Sequence, residues 1–114
     1  MTKVWVNRAD FRIEAEGHAR QAEPGEDIVC AGISALMQSL LNVLFQEEEN
    51  AYLTLDWYAD TESGSIRIHA KPYNWRKEVI RAYFRLTVLG LKAIEDNYGE
   101  YIKVIEEGQD DGDV

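Results

Sequence analysis

The chain has 114 residues, 46% of them apolar, and a formal net charge of -9. That length suits one compact domain, the acidic balance argues against nucleic acid or anionic membrane as partners and favours basic ones, and the single cysteine excludes an internal disulfide. Residues 1–20 carry no apolar signal core and no apolar run reads as long enough to span a bilayer, so a cytoplasmic protein is expected.

The hydrophobic period switches several times along the chain. Val4 and Val6 alternate with Lys3, Trp5 and Asn7, and Phe11, Ile13 and Ala15 alternate with Arg12, Glu14 and Glu16. Period two with one charged face predicts two half-buried strands. The polar quartet Asn7-Arg8-Ala9-Asp10 is short enough to close them into a hairpin. Val29, Ile33, Leu36, Leu40, Val43 and Leu44 then recur at spacings of three and four, which predicts a helix from near Asp27 to Glu47.

A second pair of alternating segments follows, Leu53-Leu55-Trp57 and Ile66-Ile68-Ala70, joined by the turn residues Asp60-Thr61-Glu62-Ser63-Gly64. From Trp75 a helical stripe runs through Val79, Tyr83, Leu86, Gly90 (a notch), Ile94 and Tyr98, with Gly99 placed to end the helix in the left-handed conformation. Tyr101 to Ile105 is β-prone and offers a further edge strand, or else a final helical turn.

The predicted order is ββαββα(β). It implies an α+β two-layer sandwich: a largely antiparallel four-stranded sheet, with a possible fifth edge strand, and two helices on one face. The predicted domain covers residues 1–107, followed by an acidic tail at 108–114 that is too polar to pack.

The residues with chemistry cluster at the first helix. Cys30 falls in its first turn, where unpaired backbone N–H groups and the helix dipole favour an anion. A thiol becomes a nucleophile when a base takes its proton and its surroundings favour the thiolate. His18, next to Gly17 at the exit of the second strand, is the candidate base. Asp27, Cys30 and Ser34 share one helix face, beside the stripe of Val29, Ile33, Leu36 and Leu40 rather than at its centre.

Each of these residues also has a plainer reading. A cysteine on a helix is often inert core. Asp27 can cap the helix by accepting from the amide of residue 29 or 30, or it can orient His18 as the third member of a triad orients its base. Ser34 can bond the thiolate or His18, or bond back to the carbonyl of residue 30. His69 lies on the polar face of a strand, and His18, His69 and Cys30 form no zinc spacing, so neither metal nor cofactor is expected. Trp5, Tyr52, Tyr58 and Tyr73 either line a groove for an aromatic side chain or form cross-strand packing pairs.

The string Gly17-His18-Ala19, a polar loop, then Gly25-Glu26-Asp27-Ile28-Val29-Cys30-Ala31-Gly32-Ile33-Ser34-Ala35-Leu36 resembles the signature of the ribosomal-processing cysteine protease family, Prp. The resemblance extends over most of the chain, and Tyr98-Gly99-Glu100-Tyr101-Ile102 is similar to the family's C-terminal tyrosine-containing segment. It implies that His18 and Cys30 are the catalytic pair, supported by Gly17, Asp27 and Ser34.

The resemblance also implies a homodimeric endopeptidase. Its reaction would be removal of a short N-terminal extension, after an aromatic-containing segment, from the bacterial large-subunit ribosomal protein numbered twenty-seven. The loop between the catalytic residues, Arg20 to Gly25 in this chain, would be ordered by substrate. Two other readings stay open: the same chemistry on another basic assembly protein, such as a viral capsid component, or a silent ribosome-assembly binding module.

Overall fold

Two hairpins of matching design build most of the sheet. The computed structural model describes residues 1–20, 22 and 27–108. Strands β1 (Thr2–Asn7) and β2 (Arg12–Glu16) pair antiparallel, with Val4 opposite Ala15 and Val6 opposite Ile13. Strands β3 (Leu53–Asp60) and β4 (Ser65–Pro72) pair in the same sense. Each hairpin closes through four residues whose last adopts a left-handed backbone, Phe11 at φ 55° and Gly64 at φ 69°. In each, the last strand residue's side chain starts the turn: Asn7 Oδ1 accepts from Asp10 N and Asp60 Oδ1 accepts from Glu62 N.

A left-handed backbone is unusual for phenylalanine. Phe11 is held there by burial, because its ring packs edge-on against Phe84 at 6.1 Å and lies beneath the Arg81 guanidinium.

The sheet order is β3-β4-β2-β1-β5, where β5 (Ile102–Glu107) runs parallel to β1 at the edge. The expected α+β architecture therefore includes the fifth strand. Helices α1 (Ile28–Glu49) and α2 (Lys77–Tyr98) supply the second layer, α2 being preceded by a 3-10 turn at Asn74–Arg76. Between the layers lie Val4, Val6, Ile13 and Ile68 of the sheet, with Val29, Met37, Leu44, Ile80, Phe84 and Leu91 of the helices.

The other sheet face is lined by charge. Lys3 pairs with Glu16 and Glu14 with Arg67 across strands, and Lys71 lies 3.0 Å from Asp56. The lysine's hydrogen bond, and then its charge, holds the Asp56 carboxyl below its usual range. The contribution of this exposed pair is complete above the ordinary carboxylate pKa and is lost as the pH falls through the lowered one.

Three expectations need correction. In α2 the sheet-facing residues are Ile80, Phe84, Thr87, Val88 and Leu91, while Leu86 of the expected stripe is 70% exposed. The helix carries two apolar stripes; Gly90 and Ile94, on the expected one, meet α1 at Leu36 and Gly32 instead of the sheet. Gly99 ends α2 in a right-handed conformation, φ -59°, because Tyr101 N closes a tight turn on Tyr98 O.

Trp57 lies on the inner face of β3, opposite the buried Ile68, and packs edge-on against Phe45 of α1; at the edge of the sheet it stays half exposed. Finally, α1 is long and apolar enough to cross a membrane by length and composition alone. It is a helix of this domain's core, burying Val29, Ile33, Met37, Leu40, Leu41 and Leu44. The tail beyond residue 108 and most of the 21–26 loop lie outside the described residues.

The C-terminus of α1 is tied down twice. Asn50, Ala51 and Tyr52 return their amides to Gln46, Glu48 and Glu47, with Ala51 left-handed at φ 62°. One turn earlier the buried Glu47 carboxylate takes both ends of the Arg76 guanidinium, at 2.7 and 3.1 Å, and Arg76 stacks on Tyr52.

Because alanine strains that left-handed position and glycine does not, Ala51→Gly is expected to raise stability by about 0.5–1 kcal/mol in urea denaturation. Arg76→Met strands a buried carboxylate, so it is expected to lower the melting temperature more than the double change Glu47→Leu/Arg76→Met, which removes both charges.

Candidate active site

The exit of β2 and the start of α1 meet above the core. At the exit of β2, Gly17 has φ 90°, and a Cβ there would stand 2.7 Å from the Met1 carbonyl oxygen. Thr2, itself buried, donates its hydroxyl to the Gly17 carbonyl at 3.0 Å. The strand is thus pinned to its neighbour up to Gly17, which then turns the chain off the sheet. His18 is half-buried at this turn, and the buried Ala19 anchors the chain on its far side.

The second of these is the start of α1. Asp27 has extended backbone, and its Oδ1 accepts from Cys30 N at 2.8 Å while its carbonyl accepts from Ala31 N at 3.0 Å. Asp27 is therefore the N-cap, and the capping reading of this residue is the one the geometry supports. Cys30 is the third helical residue, half-buried against the core and within reach of the positive end of the helix.

His18, Cys30 and Ser34 line one cleft of about 290 Å³. Its inner wall is apolar, formed by Ala15, Ile33, Met37 and Ile66, and its rim is the β3–β4 turn with Thr61, Gly64 and Ser65. Neither the cysteine nor the histidine is sealed in hydrocarbon. The imidazole Nε2 lies 2.9 Å from the Glu62 carbonyl oxygen of that turn. The two candidates thus share a solvent-accessible groove whose wall can take apolar side chains.

Several sequence candidates lie elsewhere. His69 is on the charged sheet face, 3.8 Å from Asp10. Among the described residues no group of three His, Cys, Asp or Glu side chains could hold a metal ion. Trp5, Tyr52, Tyr58 and Tyr73 are not among the cleft residues. Tyr52 packs edge-on against Trp75 at 5.1 Å, and Tyr58 lies under Arg67, so packing is the role of those two. Conversely, Thr2, Met37, Gly64 and the Glu62 carbonyl belong to the site. Gly64 reads in sequence as ordinary turn chemistry, and a main-chain carbonyl has no residue signature at all.

The family model described as cysteine protease Prp matches residues 1–103. Among solved structures, the essential ribosomal processing protease Prp from S. aureus with a covalently linked product peptide is 24% identical with a TM-score of 0.79, covering 94% of this chain and 100% of that one. The same protease with a substrate peptide is 23% identical with a TM-score of 0.72, over the same shares of the two chains. SMU.848 from Streptococcus mutans is 26% identical with a TM-score of 0.69, covering 95% of this chain and 93% of that one. No curated protein is similar enough to count as a match. With nearly its whole length accounted for by one family model and the matching fold, this chain belongs to the Prp family of cysteine proteases.

Proposed function

We propose that Cys30 and His18 are the catalytic pair of this cysteine protease. The observation that carries the reading is their convergence: residues from the exit of β2 and the first turn of α1 line one groove. His18 takes the Cys30 proton, and the thiolate attacks the scissile carbonyl to form a tetrahedral oxyanion. His18 then returns the proton to the leaving amine, and water hydrolyses the acyl-enzyme to free the thiol. First-turn amides of α1 are the donors for the oxyanion. The Cys30 amide itself is engaged by Asp27.

Gly17 and Asp27 support the site by shape. Gly17 lets the strand end turn, and Asp27 sets where the helix starts. Ser34 stands one turn beyond Cys30 in the same groove, placed to contact substrate or thiolate.

The substrate we propose is the precursor of large-subunit ribosomal protein twenty-seven, cut to release its short N-terminal extension in the cytoplasm. Similarity to a ribosomal processing protease solved with peptides supports this. The net charge of -9 suits a basic protein substrate.

A homodimer is the proposed assembly, joined through the outer face of the helical layer. No charged residue occurs between Ile28 and Phe45, and Leu86 and Leu89 of α2 are exposed. A two-fold axis there would cover both leucine pairs.

Incubation of the ribosomal protein precursor with the enzyme, read by mass spectrometry, tests the chemistry. Cys30→Ala and His18→Ala are each expected to slow cleavage by more than about a hundredfold with circular dichroism and melting temperature unchanged. Wild-type cleavage by the histidine variant would show that the base is another group. For the assembly, Leu86→Lys/Leu89→Lys is expected to shift the mass measured by light scattering from dimer to monomer, and an unchanged dimer would move the interface elsewhere.

A further inference from the structure

The contact between His18 and the β3–β4 turn has a consequence for which ring nitrogen does the chemistry. A carbonyl oxygen only accepts, so the 2.9 Å contact between His18 Nε2 and the Glu62 oxygen requires the hydrogen on Nε2. In the neutral ring the lone pair then resides on Nδ1. Asp27, the carboxylate that sequence offers as an orienting partner, caps α1 through the Cys30 amide.

The turn is built to hold its carbonyl in place. Asp60 Oδ1 accepts from Glu62 N at 3.0 Å, an Asx turn that fixes the peptide preceding the Glu62 carbon. Gly64 lies against the histidine: a Cβ there would stand 3.0 Å from His18 Cε1 and 3.1 Å from both the carbonyl carbon and oxygen of Gly17, at a backbone φ of 69°. A side chain there would press on the Gly17-His18 segment, which would have to give by a few tenths of an ångström. The turn is therefore seated on the histidine rather than merely near it.

We propose that the β3–β4 turn is the positioning element of the active site: the Glu62 carbonyl holds the His18 ring as its Nε2–H tautomer, Asp60 and Gly64 hold that carbonyl, and Nδ1 is the atom that exchanges a proton with Cys30. This rests on the catalytic reading of His18 and Cys30, and it places a main-chain oxygen where other hydrolases use an Asp or Asn side chain. When the ring becomes doubly protonated after taking the thiol proton, Nε2–H keeps the same acceptor, so the imidazolium is stabilised without the ring moving. Asp60 and Gly64 act through His18 and are positioning residues.

Long-range 1H–15N correlation of the full chain labelled at histidine nitrogens, at a pH where the rings are neutral, tests the assignment, with His69→Gln separating the two histidines. The expected wild-type result is the Nε2–H tautomer of His18; an Nδ1–H tautomer or an even mixture overturns the proposal. Gly64→Ala is expected to lose that bias and to slow iodoacetamide modification of Cys30 near pH 6 by roughly tenfold, with a kcat for peptide cleavage lower by about a hundredfold and KM little changed.

A folded Gly64→Ala protein with unchanged tautomer and unchanged alkylation also overturns it. Should that variant fail to fold, the Asp60 pair decides. Asp60→Asn, which keeps an acceptor oxygen, is expected to retain the tautomer bias and Asp60→Ala to lose it; equal behaviour of the two rejects the turn's role. The tautomer is read without substrate. A wild-type chain with Nε2–H histidine that cleaves no peptide would therefore sink the catalytic reading while leaving the ring's positioning supported.

Discussion

The site depends on a close approach of backbone to backbone at Gly17. The Met1 carbonyl oxygen would stand only 2.7 Å from a Cβ at residue 17, and the Thr2 hydroxyl donates to the Gly17 carbonyl. Gly17 is itself left-handed, which lifts the chain from the sheet and delivers the histidine to the groove. Any residue other than glycine would have to displace the end of β1, and with it the strand to which β5 is paired.

The opposite wall of the groove is set by the core. α1 is seated on the sheet by Val29, Ile33 and Met37, each buried, and Ile33 and Met37 also form the groove's inner wall. Cys30 lies between two of those anchors along the helix, so its position follows from the packing of the layers. Close-packed interiors move little. The thiol and the imidazole are therefore presented by two segments that are each fixed to the same body, one by hydrophobic burial and the other by hydrogen bonds to β1.

Polar groups around the groove divide the work. Asp27 caps the helix and so places the thiol on the first turn; its negative charge sits at the positive end of the helix, where it is stabilised. The β3–β4 turn engages the imidazole through a main-chain oxygen, which carries no charge and leaves the electrostatics of the thiol to the helix and the histidine. Remote from the groove, Glu47 and Arg76 tie the far end of α1 to the turn before α2, keeping the long helix in register with the sheet.

Much of this was legible in the residues. Alternation located both hairpins, three-and-four spacing located α1, and Gly17-His18 and Cys30 stood out as residues that line one cleft, because these signals are local: a period, a turn residue, a helix start. Which stripe of α2 faces the sheet was not legible. Both of its stripes are apolar, and the choice between Ile80-Phe84-Val88 and Val79-Leu86 was made by the neighbours that α1 and the Phe11 ring provide. The orienting partner of His18 was equally hidden, since it is a peptide oxygen contributed by a turn 44 positions away in sequence. Side-chain chemistry is written in the sequence; the direction of a carbonyl and the choice between two equally greasy faces are settled only when distant segments pack against one another.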